Sequence, residues 1–265
     1  MSFLRTVVLS LLTFCAAPVL QAQVAPTTGI VRFAADDWPP FVSPRLPADG
    51  MSAAMVSAVF ERMGYLVKYE YFPWKRTMQF GLGNPRYAGF MAVWRTPERE
   101  KLCHFSVPVG NTLGVLAYLK EDGPPGASLQ ELGKLRVGTV AGYANGEQFD
   151  AMVARGELST EEGLNDATNL KKLLIKRYRV IVIERHVLQH LLMGPEFSKA
   201  ERERIAFVDT VFKERPVHVC FKRDAGGALQ QKRFNEAARE VDLARLERDY
   251  WKRLDQSLAG VPPAP

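Results

Sequence analysis

Cysteine is scarce: the chain of 265 residues holds only 3. One, Cys15, lies in an apolar leader, so Cys103 and Cys220 leave room for one disulfide at most. Neither has a partner that would make it a nucleophile. Histidine numbers 4, and only His186 and His190 share a helical i, i+4 spacing. No third ligand stands at a telling distance, which argues against a metal centre. No serine–histidine–aspartate order supports a hydrolase. Beyond the leader no apolar run approaches the ~20 residues that a membrane-spanning helix needs. A glycine- or serine-rich linker is also missing. Charge is only mildly unbalanced, 35 Lys+Arg against 29 Asp+Glu for a net +6. The excess is spread along the chain, and its densest stretch (171–179, KKLLIKRYR) reads as a solvated helix face, so a nucleic-acid partner is not expected.

The leader is informative. Arg5 supplies a positive start, residues 7–14 a short apolar core, and Ala22 a small residue at a plausible cleavage point. Removing residues 1–22 leaves an exported chain, expected in a bacterial periplasm, with net charge near +5 because Arg5 is the one charged residue lost. In that oxidising compartment Cys103 and Cys220 form either one bridge or two buried thiols.

Alternation and helical periodicity lay out two α/β units. In the first, strands at 30–34, 66–72 and 88–93 alternate with helices at 52–63 and 74–80, and Gly64 caps the former. In the second, strands at 113–119, 136–140 and 180–183 alternate with helices at 128–132, from 147, at 169–175 and from 186. Strands at 207–211 and 217–221 follow. Two amphipathic helices, 228–241 and 243–258, close the chain with Asp242 as an N-cap between them. The tail GVPPAP is expected to be disordered. Without a linker, the chain must cross between the units on strands, and a cleft between units is a usual place for a small ligand.

The stretch 94–108, WRTPEREKLCHFSVP, carries the most chemistry. Thr96 is a good N-cap and Pro97 suits the first helical position. Glu98 and Glu100 agree with the helix dipole, whereas Arg99 opposes it. Arg99 is therefore either a surface arginine paired with a neighbouring glutamate or a guanidinium turned toward an anion.

The segments WPPF, PWKR, TPERE followed by FSVP, SLQELGKLRVGTV and FNEAA, in that order, resemble the family 3 periplasmic solute-binding proteins, the polar amino-acid receptors of ABC importers. The resemblance covers nearly all of the chain after the leader. It implies a two-lobed periplasmic binding protein-like α/β fold, each lobe a mainly parallel sheet flanked by helices, joined by two crossover strands. Lobe one is 23–111 plus 215–265 and lobe two is 112–214. It implies a small zwitterionic ligand, a membrane-embedded permease as transient partner, a monomer, no cofactor and no catalysis. Arg99 takes the position that binds the ligand carboxylate. Trp38 and Trp74 take the aromatic positions, with Trp94 as a further indole. Gly142 and Tyr143 fall at a turn whose backbone N–H groups reach the carboxylate, and Glu184 takes the place of the acid that grips the ammonium, unless it only caps the helix after it. Met91 and Ala92 stand where the family has small hydroxyl residues, which leaves ordinary polar amino-acid specificity in question. Three tryptophans in the cleft would favour an aromatic, planar or cationic ligand. An enzyme on the same scaffold, or delivery of ligand to a separate sensor, is the alternative.

Overall fold

The computed structural model describes residues 29–259. The leader, its cleavage point and the GVPPAP tail lie outside the described residues. Among those described, no helix is long and apolar enough to cross a membrane.

Three strands with apolar inward faces start the first sheet: β1 (Gly29–Ala35), β2 (Tyr65–Tyr71) and β3 (Gly89–Trp94). β1 pairs in parallel with both β2 and β3. The crossovers between them are helical, α1 (Met51–Arg62) and α2 (Trp74–Gly83), as parallel neighbours require. After β3 come the short α3 (Pro97–Glu100) and β4 (Cys103–Phe105).

β5 (Asn111–Leu119) leads into the second sheet, with β6 (Arg136–Val140), β7 (Ser159–Gly163), β8 (Val180–Glu184) and β9 (Ile205–Val208). Helices α4 (Glu147–Ala154), α5 (Asp166–Leu174), α6 (Arg185–Met193) and α7 (Lys199–Arg204) connect them. β6 is parallel to β7 and β8, while β5 runs antiparallel to β8 and β9. The chain returns on β10 (Glu214–Lys222), antiparallel to β3 and β4. α8 (Ala225–Ala238) and α9 (Leu243–Ala259) finish it.

The strand order is therefore β2-β1-β3-β10-β5-β8-β6-β7, with β4 on β10 and β9 on β5. β5 and β10 are the two strands that cross, and they pair with each other at Asn111–Leu113 and Glu214–Pro216. Each sheet has a parallel core of three strands, extended by an antiparallel crossing strand. This is the two-lobed periplasmic binding protein-like architecture.

Cys103 and Cys220 are bridged, with Cα atoms 5.4 Å apart, which ties β4 to β10 beneath α3. Next to the bridge, Gly89 lets β3 approach β10: a Cβ there would lie 1.9 Å from the Cys220 carbonyl oxygen. Phe33, Phe60, Phe221 and Phe234 interlock at 5.4–6.5 Å between the first sheet and helices α1 and α8. A second apolar core, with Leu116, Val137, Phe149 and Val180, holds the other sheet.

Two elements carry no apolar period. β7 (STEEG) is a polar edge strand beside β6, and α7 is a charged helix set by a capping box between Ser198 and Glu201. The strand expected at 207–211 instead ends at Val208, and the short helix expected at 128–132 is a 3₁₀ turn, Gln130–Lys134.

Candidate ligand-binding cleft

Four turns deliver side chains to one narrow hollow, with about 20 Å³ of free space left between them. After β1 the chain bends through Asp36 into a loop closed by Trp38 N–H donating to the Val42 carbonyl at 2.7 Å. This loop sets Trp38 on one wall, stacked on Phe41 at 4.6 Å. Trp74 starts α2, Trp94 ends β3, and α3 places Arg99, its backbone N–H donating to the Thr96 hydroxyl at 3.2 Å. From the other sheet, the turn between β6 and α4 brings Tyr143. The lining is Asp36, Trp38, Trp74, Met91, Ala92, Trp94, Arg99 and Tyr143.

β3 is bulged where it meets the hollow. Val93 pairs with His218 and Met91 with Val219, so Ala92 has no partner on β10. Its φ is +56°, a left-handed conformation that costs a non-glycine residue on the order of 1–2 kcal/mol. Bulges of this kind redirect side chains beside binding sites.

Tyr143 reaches across from the second sheet into a ring of indoles. Its centroid lies 6.4 Å from Trp38, 5.7 Å from Trp74 and 6.1 Å from Trp94, each nearly perpendicular. That edge-to-face geometry sets the positive ring edge against a negative face. Its hydroxyl donates to Asp36 Oδ2 at 3.2 Å. Burial, then the charge of Asp36, holds the phenol well above its ordinary pKa.

Arg99 is only 8% exposed. One terminal nitrogen donates to the Trp94 carbonyl at 2.9 Å, the other to the Gly142 carbonyl at 3.1 Å. Its guanidinium lies 5.3 Å from the Trp74 ring centroid. Burial lowers its pKa to about 10, against the opposing pull of Asp150, so the group stays cationic at neutral pH. No carboxylate among the described residues forms an ion pair with it. A buried cation held only by carbonyl oxygens is electrostatically incomplete.

Two expectations change. The Gly142 and Tyr143 amides do not face the hollow: Gly142 N–H donates to Glu162 Oε1 at 3.4 Å and Tyr143 N–H to the Val140 carbonyl at 3.0 Å. The turn, with Gly142 at φ +79°, presents the Gly142 carbonyl instead, which accepts from Arg99 and from Trp74 Nε1 at 2.9 Å. A Cβ at Gly142 would stand 3.3 Å from Trp74 Cδ1.

Glu184 is the other correction. It is buried, outside the hollow, and is the N-cap of α6. Its Oε2 accepts from Val187 N–H at 2.9 Å, while Oε1 accepts from Leu113 N–H at 3.1 Å and lies 3.2 Å from His186 Nδ1. These contacts account for Glu184 as the cap of α6, the second of the two readings of this position. Glu184→Ala is therefore expected to lower unfolding free energy by about 1–3 kcal/mol through lost capping and unpaired amides. Denaturant titration reads this, and an unchanged midpoint would refute the capping role.

The acids at the cleft are Asp36 and Asp166, which the residue pattern did not single out. Burial raises Asp36 to about 6, partly offset by the Tyr143 hydroxyl. Asp166, 6% exposed at the start of α5, is raised to about 7 by burial, then by the charges of Asp36 and Glu184. Because the folded pKa exceeds the unfolded one, the folded protein holds a proton that the unfolded chain releases. Asp166 is thus neutral with respect to stability below pH ~4 and destabilises increasingly as pH rises toward 7. Asp166→Asn is expected to stabilise the ligand-free protein by up to about 3 kcal/mol near pH 8 and to change little near pH 4. Melting curves at the two pH values test this, and an equal effect at both would count against it.

Arg215 also escaped the residue pattern. It lies 4.2 Å from the Trp94 ring centroid and donates to the Ala144 carbonyl at 3.4 Å, so it braces Trp94 against the turn that holds Tyr143. His186 stacks on Trp251 at 4.4 Å, away from the hollow.

No protein-family model and no curated protein matches the chain. Solved structures do match. An ancestral arginine-binding protein bound to arginine has a TM-score of 0.71 at 15% identity, covering 86% of this chain and 98% of that one. An amino acid ABC transporter substrate-binding protein from Streptococcus pneumoniae, bound to L-arginine, has a TM-score of 0.67 at 16% identity over 84% and 94%. A histidine kinase sensor domain with similarity to periplasmic binding proteins has a TM-score of 0.71 at 15% identity over 84% and 94%. At these identities the likeness is one of fold, and the fold is that of the two-lobed periplasmic binding proteins.

Proposed function

We propose that this protein is a solute-binding protein that captures a small zwitterionic compound, an amino acid or a relative of one, between its two sheets and hands it to a membrane-embedded ABC permease. It works as a monomer in the periplasm, without a cofactor. The observation that carries the reading is Arg99: a desolvated guanidinium at the base of an indole-lined hollow, with carbonyl oxygens for partners. A ligand carboxylate would displace the Gly142 carbonyl and supply the missing counter-charge through a bidentate pair. Trp38, Trp74 and Trp94 would cover the rest of the ligand, and Tyr143 would withdraw with the second sheet to admit it.

Closure follows from differential affinity. A ligand held from both sheets favours the closed form by the difference between its interactions in the two states. The permease would then read the closed surface. Delivery to a separate sensor uses the same chemistry, and the sensor-domain fold match favours keeping that reading. A thermal-shift screen of the purified protein against amino acids, polyamines and aromatic acids tests the proposal. A ligand at 100 times its Kd adds about 2.7 kcal/mol, a rise of roughly 5–10 °C. A panel with no shift at all would reject the reading.

A further inference from the structure

Beyond Trp38 and Tyr143 the small hollow gives way to a larger one of about 440 Å³, open to solvent. Asp36, Trp38 and Tyr143 line both, whereas Arg99 borders only the smaller and Asp166 only the larger. Asp36 follows β1 in the first sheet and Asp166 opens α5 against the second, so the two acids belong to opposite sides of the cleft. Neither forms an ion pair with any lysine, arginine or histidine among the described residues, although Asp37 beside them pairs with Arg45 at 2.8 Å. Trp38 Nε1–H is buried between the two acids and faces the Asp166 carboxylate, whose negative form it favours. Two carboxylates on opposite sides of one hollow, neither of them ion-paired, are the complement of the unpaired Arg99.

We propose that Asp36 and Asp166 form a subsite for the cationic end of the ligand, an ammonium or guanidinium group lodged between the two sheets. This rests on the binding reading above and narrows it. Asp36 lines both hollows, but Asp166 borders only the larger and Arg99 only the smaller, so a cation held between the two acids is separated from the carboxylate by a spacer that passes Trp38 and Tyr143. The class is therefore a carboxylate with a cationic side chain, and the site assigned to that cation lies away from Glu184.

Proton competition follows. The raised affinity of both acids for protons means that the cation must displace them, so binding strengthens as pH rises through about 6–7. The groups that face the pair are Glu184, which adds negative charge, and the phenols of Tyr143 and Tyr71. The Asp37–Arg45 and Lys171–Glu196 pairs are internally neutralised.

Calorimetric titration of the whole protein with L-arginine against L-citrulline, and L-lysine against L-norleucine, tests this. Near pH 8 the cationic member of at least one pair is expected to bind roughly tenfold tighter or more. That preference should shrink near pH 5 and vanish in the Asp36→Asn/Asp166→Asn double variant, whose folding is checked by its melting curve. Equal binding within both pairs, or a preference that survives the double variant, would overturn the subsite. Neutral amino acids that bind through Arg99 while neither cationic one does would also overturn it, yet leave the carboxylate reading standing. Absence of binding by all four compounds overturns the subsite as well, and the broader thermal screen then decides the carboxylate reading separately.

Discussion

Arg99→Ala is expected to weaken binding of a carboxylate ligand by about two orders of magnitude or more. Truncating one partner of a buried, hydrogen-bonded charge pair removes roughly 2–5 kcal/mol and leaves the other charge desolvated. Arg99 is buried and holds no carboxylate of its own, so little in the free protein competes with the ligand for it. Arg99→Lys should rescue only part of the loss, because an ammonium cannot form the planar fork. The free protein should tolerate the alanine, since relief of a desolvated cation offsets the two lost hydrogen bonds. Titration of wild type and both variants with one ligand measures the effect. Equal affinities across the three would remove Arg99 from the site.

Breaking the Cys103–Cys220 bridge is expected to produce the largest loss of stability. The bond joins positions 117 residues apart, a loop for which the chain-entropy argument gives about 4–5 kcal/mol within a usual range of 2–5. At roughly 2–4 °C per kcal/mol for a chain of this size, melting should fall by about 10–15 °C on reduction or in Cys103→Ser/Cys220→Ser. Function should respond as well. The bridge anchors β4, which follows α3 directly, and α3 carries Arg99. The double serine variant should therefore bind more weakly even well below its melting temperature. A melting curve insensitive to reductant would contradict the first part, and unchanged affinity the second.

Much of the architecture was legible because the apolar pattern is strong. Segments buried on both sides, such as FMAVW before Arg95 and VIVI before Glu184, declare strands, and Thr96-Pro97, Gly64 and Asp242 mark helix ends through capping chemistry. β7 and α7 were not legible, since a polar edge strand and a short charged helix bury too little apolar surface to leave a period. In the site, the indoles and Arg99 stand out as residue types that folded chains rarely place without purpose. Glu184 misled because one local pattern, an acid between a buried strand and a helix, fits both a ligand and an N-cap. Its hydrogen bond from Leu113, far away in sequence, decides for the cap and has no local signature. Asp36 and Asp166 were hidden for the opposite reason: each reads as an ordinary turn or helix-start aspartate until the fold buries the two along one hollow. The Gly142 carbonyl depends on a peptide orientation that only the closed turn fixes.

The central claim is that the buried guanidinium of Arg99 awaits a carboxylate. Calorimetric titration with an amino acid that binds and with its carboxamide, which keeps the size and removes the negative charge, tests it most directly. The account predicts that the carboxamide binds the wild-type protein about 100-fold more weakly or worse, and that Arg99→Ala no longer distinguishes the two. A carboxamide that binds the wild-type protein as tightly as the acid would contradict it.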